Sequence, residues 1–334
     1  FCPIDANTIR FLKETGRTPE HAAMVEAYNR TQGLWAEAPD NAIDYDAVIQ
    51  LDLSSVRRSV AGPSRPEQRI DLESATGTLA LAGETGAARR VAVEGSSHDI
   101  GDGDVIIAAI TSCTNTANPR NMILAGLMAR NAVDRGLSVK PHVKTSLSPG
   151  SRVVARYLEA SGLQKSLDQL GFQITGFSCS TCNGMSGPLT PENDATIRQN
   201  DIKAVAVLSG NRNFSGRIHP LALRNVLAAP PLVVAYALMG TILKDITSEP
   251  VGFDPDGAPV MLADLWPTSE EVDAVMTAHL SPDDFQTIYQ GIPTVSSHWN
   301  ALDVNTDNYD WAPSTYVTFP PFLKGLSVAV KPVR

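Results

Sequence analysis

Three cysteines carry the first chemical signal. Cys179-Ser180-Thr181-Cys182 is a C-x2-C pair, and Cys113 stands alone far upstream. Thiolates select soft metals such as zinc or iron–sulfur clusters, so three of them converging would make a soft-metal site. The bare pattern leaves several readings open. Structural zinc normally takes four protein ligands, which would call on a histidine such as His142 or His219. A redox pair would leave Cys113 unexplained. A cubane held by three thiolates would leave one iron open to substrate or water. The competing reading is inert thiols buried as small apolar residues. Cys2, the fourth cysteine, reads as a buried or frayed thiol with no role.

A second signal follows from Ser209-Gly210-Asn211-Arg212-Asn213-Phe214-Ser215-Gly216-Arg217. Arg212 and Arg217 sit in a Gly- and Asn-rich loop suited to bidentate grip on carboxylate or phosphate. Alone such a loop is more often a solvated surface; its place beside the cysteine segments favours the anion site. Asn211 can hydrogen-bond a cluster sulfur or a substrate, or simply form a turn. The histidines of the remaining chain carry no such pattern: His98 reads as exposed, and His21 and His279 as helix residues. Asp283-Asp284 reads as a helix first turn complementing the macrodipole.

These segments need elements to position them. From about residue 104 the texture alternates strand and helix. Residues 105–110 (VIIAAI) form an apolar run typical of a strand buried on both faces. Asn118-Pro119 caps a helix reaching Asp134, 142–146 reads as a strand, and Ser148-Pro149 caps a helix over 152–160. Residues 172–177 and 204–208 read as further strands, and 219–227 and 232–238 as helices. The alternation predicts an α/β fold, a three-layer α/β/α arrangement around a mostly parallel sheet. In such sheets ligands gather at the carboxyl ends of strands, where residues 111–115, 178–184 and 209–217 all fall. Upstream, Thr18-Pro19 starts a helix, alternation over 48–53 suggests a strand, and 72–103 reads as a surface connection. Downstream, Thr268-x-x-Glu271 is a capping box and Ser281-Pro282 opens another helix. The expected division is 1–103, a helical segment, short strand and connection; 104–250, the cysteine-bearing α/β domain; and 251–334, helices and a linker.

Composition bounds the function. The 334 residues are 43% hydrophobic and 19% charged, enough to bury a core of one large or two medium domains. No apolar run reaches the ~18 residues a membrane helix needs. A net charge of -9 disfavours a general nucleic-acid surface. Four cysteines are too few for a disulfide framework and suit a reducing, cytoplasmic setting. The chain opens Phe1-Cys2-Pro3 and closes Lys331-Pro332-Val333-Arg334, as a piece of a longer polypeptide would.

At its polar loops the sequence resembles the aconitase family. The stretches are ITSCTNTANPRNM (110–122), VKTSLSPGSRVV (143–154), FSCSTCNGMSGPL (177–189) and LSGNRNFSGRIHP (208–220), with DLSSVRRSVAGPSRP (52–66) and PPLVVAYALMGT (230–241) beside them. The resemblance implies that Cys113, Cys179 and Cys182 ligate a [4Fe-4S] cluster whose fourth iron acts as a Lewis acid. It implies that Arg212 and Arg217 hold substrate carboxylates, with Asn211 beside the cluster. The implied reaction is reversible hydration and dehydration of a tricarboxylate, citrate to isocitrate through cis-aconitate.

Long, monomeric members of the family have three α/β domains and a mobile fourth. This chain resembles the third with its flanking linker. The His and Asp residues of the first domains, and the Ser base and Arg partners of the last, are not in it. The isolated chain is therefore expected to bind a cluster without turning over, and the other domains of a parent protein are its expected partners. Asn183-Gly184-Met185-Ser186 and NYDWAPSTYV (308–317) resemble the branch that dehydrates 2-methylcitrate, and a specialised aconitase-like isomerase is a third reading. Two non-enzyme classes are an RNA-binding apo form, disfavoured by the charge, and a zinc-stabilised domain.

Overall fold

In a computed structural model of the protein, residues 3–36, 46–80, 89–111, 118–302 and Gly325 are described. Two compact units divide the chain, Phe1–Tyr289 and Gln290–Arg334.

The first unit opens with helices α1 (Ala6–Glu14) and α2 (Pro19–Thr31). Thr18 caps α2 by accepting from the His21 amide, with Pro19 preset at the first helical position. Strands β1 (Ser59–Ala61) and β2 (Arg69–Asp71) then pair antiparallel, and helix α3 (Ala75–Leu79) follows. A small hairpin, β3 (Arg90–Ala92) with β4 (Asp99–Gly101), precedes β5 (Val105–Thr111). Helix α4 (Pro119–Asp134) leads to β6 (Lys144–Ser148), α5 (Arg152–Ala160), α6 (Leu163–Gln169) and α7 (Pro191–Asn200). Next come β7 (Val205–Leu208), β8 (Arg224–Leu227) and α8 (Pro230–Met239). A β9 (Gly252–Phe253) and β10 (Pro259–Val260) pair, then α9 (Leu262–Leu265), α10 (Ser269–His279) and α11 (Pro282–Gly291), follow. In the second unit a 3-10 turn, Ile292–Thr294, precedes α12 (Ser297–Asn300).

The central sheet runs in the order β2-β1-β8-β7-β5-β6. Its last four strands are parallel, with Ala108 of β5 facing Thr145 of β6 and Val207 of β7. Only β1 runs against the others, pairing antiparallel with β2 on one side and with β8 on the other. Every residue of β5 is buried, because the sheet is covered on both faces. On one face Val105, Ala108 and Ile110 pack with Met122, Leu127 and Met128 of α4 and with α8. All ten residues of α8 are buried, and it stops at Gly240, whose φ of +79° is left-handed. On the other face Ile106, Ile107 and Ala109 meet Ile197 of α7, Ile100 of β4 and Cys182. The predicted α/β class with a mostly parallel sheet is thus observed. Among the described residues no helix is long and apolar enough to cross a membrane.

Several local expectations differ from the structure. Residues 48–53 form no strand; Val48, Ile49 and Leu51 are exposed, and alternation without a neighbouring strand to pair with does not make one. Residues 172–177 make a single bridge, Ile174 to Leu147, outside β6, where one side stays open. The predicted helix over 219–227 is instead a turn and β8; pairing with β7 overrides an apolar spacing that mimics a helix. Helix α5 is capped by Ser151, whose hydroxyl accepts from the Val153 amide, not by Ser148. The supposed surface connection over 72–103 buries Leu72, Leu79, Val93 and Ile100, in elements too short to show a period.

Candidate functional site

Parallel topology brings the polar loops to one end of the sheet. The chain leaves β5 for β6 on one side and returns to β7 on the other, so the strand order reverses between β5 and β7. That is the switch point where open α/β sheets leave a crevice. The crevice is held from both sides: Thr111 donates its amide to Ser209 Oγ at 2.9 Å, and Ser209 Oγ donates to the Thr111 carbonyl at 3.2 Å. Cys113 follows two residues beyond Thr111 and lies outside the described residues, as do Cys2, Thr114 and Asn115. Helix α4 begins just after, its Asn118 Oδ1 accepting from the Arg120 amide at 3.0 Å.

Cys182 sits in a tight 3-10 turn, Thr181–Asn183, and Cys179 just before it is tied to the turn by its carbonyl. The Asn183 amide donates to the Cys179 and Ser180 carbonyls, both at 3.1 Å, and the Met185 amide to Ser180 at 2.9 Å. Cys182 is buried and Cys179 half-buried, and both are thiols. The turn exits through Gly184 at φ +79°, where a Cβ would lie 2.8 Å from the Arg217 carbonyl oxygen. Only glycine accommodates both the angle and that approach.

The arginine loop closes against this turn. A Cβ on Gly210 would meet Cys182 Sγ at 3.2 Å, so the loop backbone lies directly on the thiol. Cys182 Sγ donates to Asn211 Oδ1 at 3.4 Å and lies 3.9 Å from the Arg212 carbonyl. Arg217 donates from Nε to the Cys182 carbonyl at 3.0 Å and from Nη2 to Asn183 Oδ1 at 3.1 Å. Ser186 Oγ adds a bond to the Ile218 carbonyl at 3.4 Å. Arg212 and Arg217 are both exposed. The structure therefore brings Cys182, Asn211, Arg212 and Arg217 together, with Cys179 just before the same turn.

Sequence reasoning missed what anchors that loop. Asn213 is fully buried and donates from Nδ2 to the Ala61 carbonyl at 3.2 Å and the Asn225 carbonyl at 2.8 Å. Asn225, also fully buried, donates to the Phe214 and Ala222 carbonyls, each at 3.2 Å. The local sequence carries no such signal, since Asn211 and Arg212 are exposed and only Asn213 is buried.

The histidines fall elsewhere. His142 Nε2 is 3.0 Å from the Gly240 carbonyl, and burial pushes its pKa below the usual value. His219 accepts the Leu221 amide on Nδ1 at 3.2 Å, and burial lowers its pKa too. His98, expected to be exposed, is half-buried against Asn193 Oδ1 at 3.0 Å. Among the described residues no three of His, Cys, Asp and Glu come together.

The sequence matches the model of the aconitase family (aconitate hydratase) across residues 1–240. The chain belongs to the aconitase family. It is 48% identical to aconitate hydratase A of Bradyrhizobium diazoefficiens, a match covering 100% of the chain and 38% of that relative. It is 49% identical to the 2-methylcitrate dehydratase (2-methyl-trans-aconitate forming) of Shewanella oneidensis, over 96% of the chain and 36% of the relative. Against the phosphinomethylmalate isomerase of Streptomyces viridochromogenes the figures are 45%, 99% and 38%. The chain thus spans well under half the length of these relatives. Membership in the aconitase family implies an iron–sulfur cluster in the whole protein. The observed donor set fits one: two thiols at a single turn, one of them lined by apolar side chains, are soft ligands in a sheltered place.

Proposed function

We propose that this chain is the cluster-carrying part of a [4Fe-4S]-dependent hydro-lyase interconverting citrate and isocitrate through cis-aconitate. The observation that carries the reading is the junction of the cysteine turn and the arginine loop, where Cys182 meets Asn211 and Arg217. Soft donors and carboxylate-binding cations then share one rim of the sheet. Relatives named aconitate hydratase A support the reaction.

In this reading Cys113, Cys179 and Cys182 hold the cluster. When bound, it supplies a Lewis-acidic iron that eases departure of hydroxide from a substrate. The chain's own residues do the positioning. Arg212 and Arg217 bind substrate carboxylates, and Asn211 lies beside the sulfurs. Asn213 and Asn225 fix the loop backbone that carries both arginines, and the Arg217 guanidinium is oriented before substrate arrives. Residues 104–250 form the cluster-binding domain, β1 and β2 of the 1–103 segment complete its sheet, and 251–334 leads to the rest of a parent protein, which supplies the base. A reducing, cytoplasmic location suits thiolate ligands.

A second reading, dehydration of 2-methylcitrate, is favoured by Asn183-Gly184-Met185-Ser186 and by the relative from Shewanella oneidensis. The test is turnover by the full-length polypeptide, loaded anaerobically with iron and sulfide and offered citrate and 2-methylcitrate. Turnover of either, with KM raised by Arg212→Gln and by Arg217→Gln, is expected. No turnover of any tricarboxylate, or indifference to both substitutions, would contradict it.

A further inference from the structure

Asn183 and Arg217 are both exposed, yet their side chains are joined. The guanidinium is a planar fork whose donors have fixed relative directions. Its Nε–Nη2 edge is taken by the Cys182 carbonyl at 3.0 Å and by Asn183 Oδ1 at 3.1 Å. The terminal edge, Nη1 with the second hydrogen of Nη2, is the one left to take a carboxylate in bidentate fashion.

The two anchors differ in kind. The Cys182 carbonyl is backbone and would accept from Arg217 whatever residue followed. The bond from Asn183 depends on its side chain. Asn183 itself is rigidly carried: its amide is used by the Cys179 and Ser180 carbonyls, and Gly184 behind it lies against the Arg217 carbonyl. One anchor lets a guanidinium pivot, whereas two fix its plane.

We propose that Asn183 is a positioning residue for substrate choice, fixing the plane of Arg217 and thereby where a substrate carboxylate must sit relative to the cysteine turn. The inference deepens the proposed function and rests on it. Asn183 is also the first residue of the tetrapeptide on which the citrate and 2-methylcitrate readings divide. Those substrates differ by one methyl, a difference that binding sites resolve by about 10- to 200-fold at most. A small shift of one carboxylate anchor is enough to move such a preference.

The experiment compares Asn183→Leu, which keeps the shape and removes the acceptor, with Asn183→Gln, which keeps an amide carbonyl. Both are made in the full-length polypeptide. Steady-state kinetics and binding isotherms are measured with citrate and 2-methylcitrate, alongside iron and sulfide content. With Asn183→Leu, KM and Kd should rise about 3- to 10-fold at undiminished cluster content, as expected for loss of a charge-assisted bond. The ratio of kcat/KM for the two substrates should shift by about threefold or more, and Asn183→Gln should recover part of both changes. Wild-type turnover with KM, Kd and ratio all indifferent to Asn183→Leu would overturn this inference alone. A fall in kcat at constant KM would also overturn it, because the residue would then serve the cluster turn. A wild type inert toward every tricarboxylate would overturn the proposed function and this inference with it.

Discussion

The two ends of the same sheet strands are held together in different ways. Along its length β5 is packed between helices by side chains such as Ile110, Leu127, Met128 and Tyr236, all essentially inaccessible to water. At its carboxyl end the chain passes into loops held by a few polar bonds between named atoms: Ser209 with Thr111, Asn213 to Ala61 and Asn225, Arg217 to Cys182 and Asn183. Apolar packing is non-directional and shared among many neighbours. A hydrogen bond is directional and has one partner. The core should therefore set how stable the protein is, and the rim should set where the functional groups sit.

The largest effect on stability is expected in the core. Leu127→Ala should cost about 2–5 kcal/mol in a denaturant titration, since a fully buried leucine leaves a cavity the helices cannot close. Cluster content per folded molecule should be unchanged. A collapse of cluster content at full stability would break the division between core and rim.

Asn213→Ala sits on the boundary and should cost about 1–3 kcal/mol, because one buried and one half-buried carbonyl lose their donor. Unlike the leucine change, it should also speed hydrogen exchange in residues 211–217. Equal exchange in both variants would mean the asparagine pair is ordinary core.

A smaller effect concerns pH. His142 and His219 have pKa values lowered by burial, so the unfolded chain binds more protons than the folded one as pH falls below about 6.5. Their contribution is thus complete above that pH and is lost on acidification toward their folded values. Stability measured from pH 7.5 to 5 should decline, and His142→Gln should flatten that slope. His142 is faced by Asp104, Arg90 and His98, so the opposite slope would show that these charges outweigh burial. Cys182→Ser places a hydroxyl among apolar side chains with Asn211 Oδ1 as its acceptor, so it should cost no more than about 1 kcal/mol in denaturation while being decisive at the rim.

How much was legible in the sequence follows the same division. Continuous apolar runs and capping residues specified β5, α4 and α8 closely, because burial and helix starts are local in sequence. The strand expected at 48–53 and the helix expected at 219–227 failed because pairing partners decide those segments. At the rim, residue types disclosed the thiols and arginines. What fixes them was hidden, since Asn213 reaches Ala61 across a long stretch of chain. In the sequence Asn183 is only a marker of relatedness, and its bond to Arg217 emerges once two loops meet.

The measurement that bears most directly on the cluster site is anaerobic reconstitution of the purified chain with iron and sulfide. Both elements and the visible absorption would be followed in the wild type and in Cys113→Ser, Cys179→Ser and Cys182→Ser. A brown protein carrying iron and acid-labile sulfide, with both lost in each variant at near-native stability, is the expected result. Zinc without sulfide, or iron content indifferent to Cys113, would contradict the three-thiolate site.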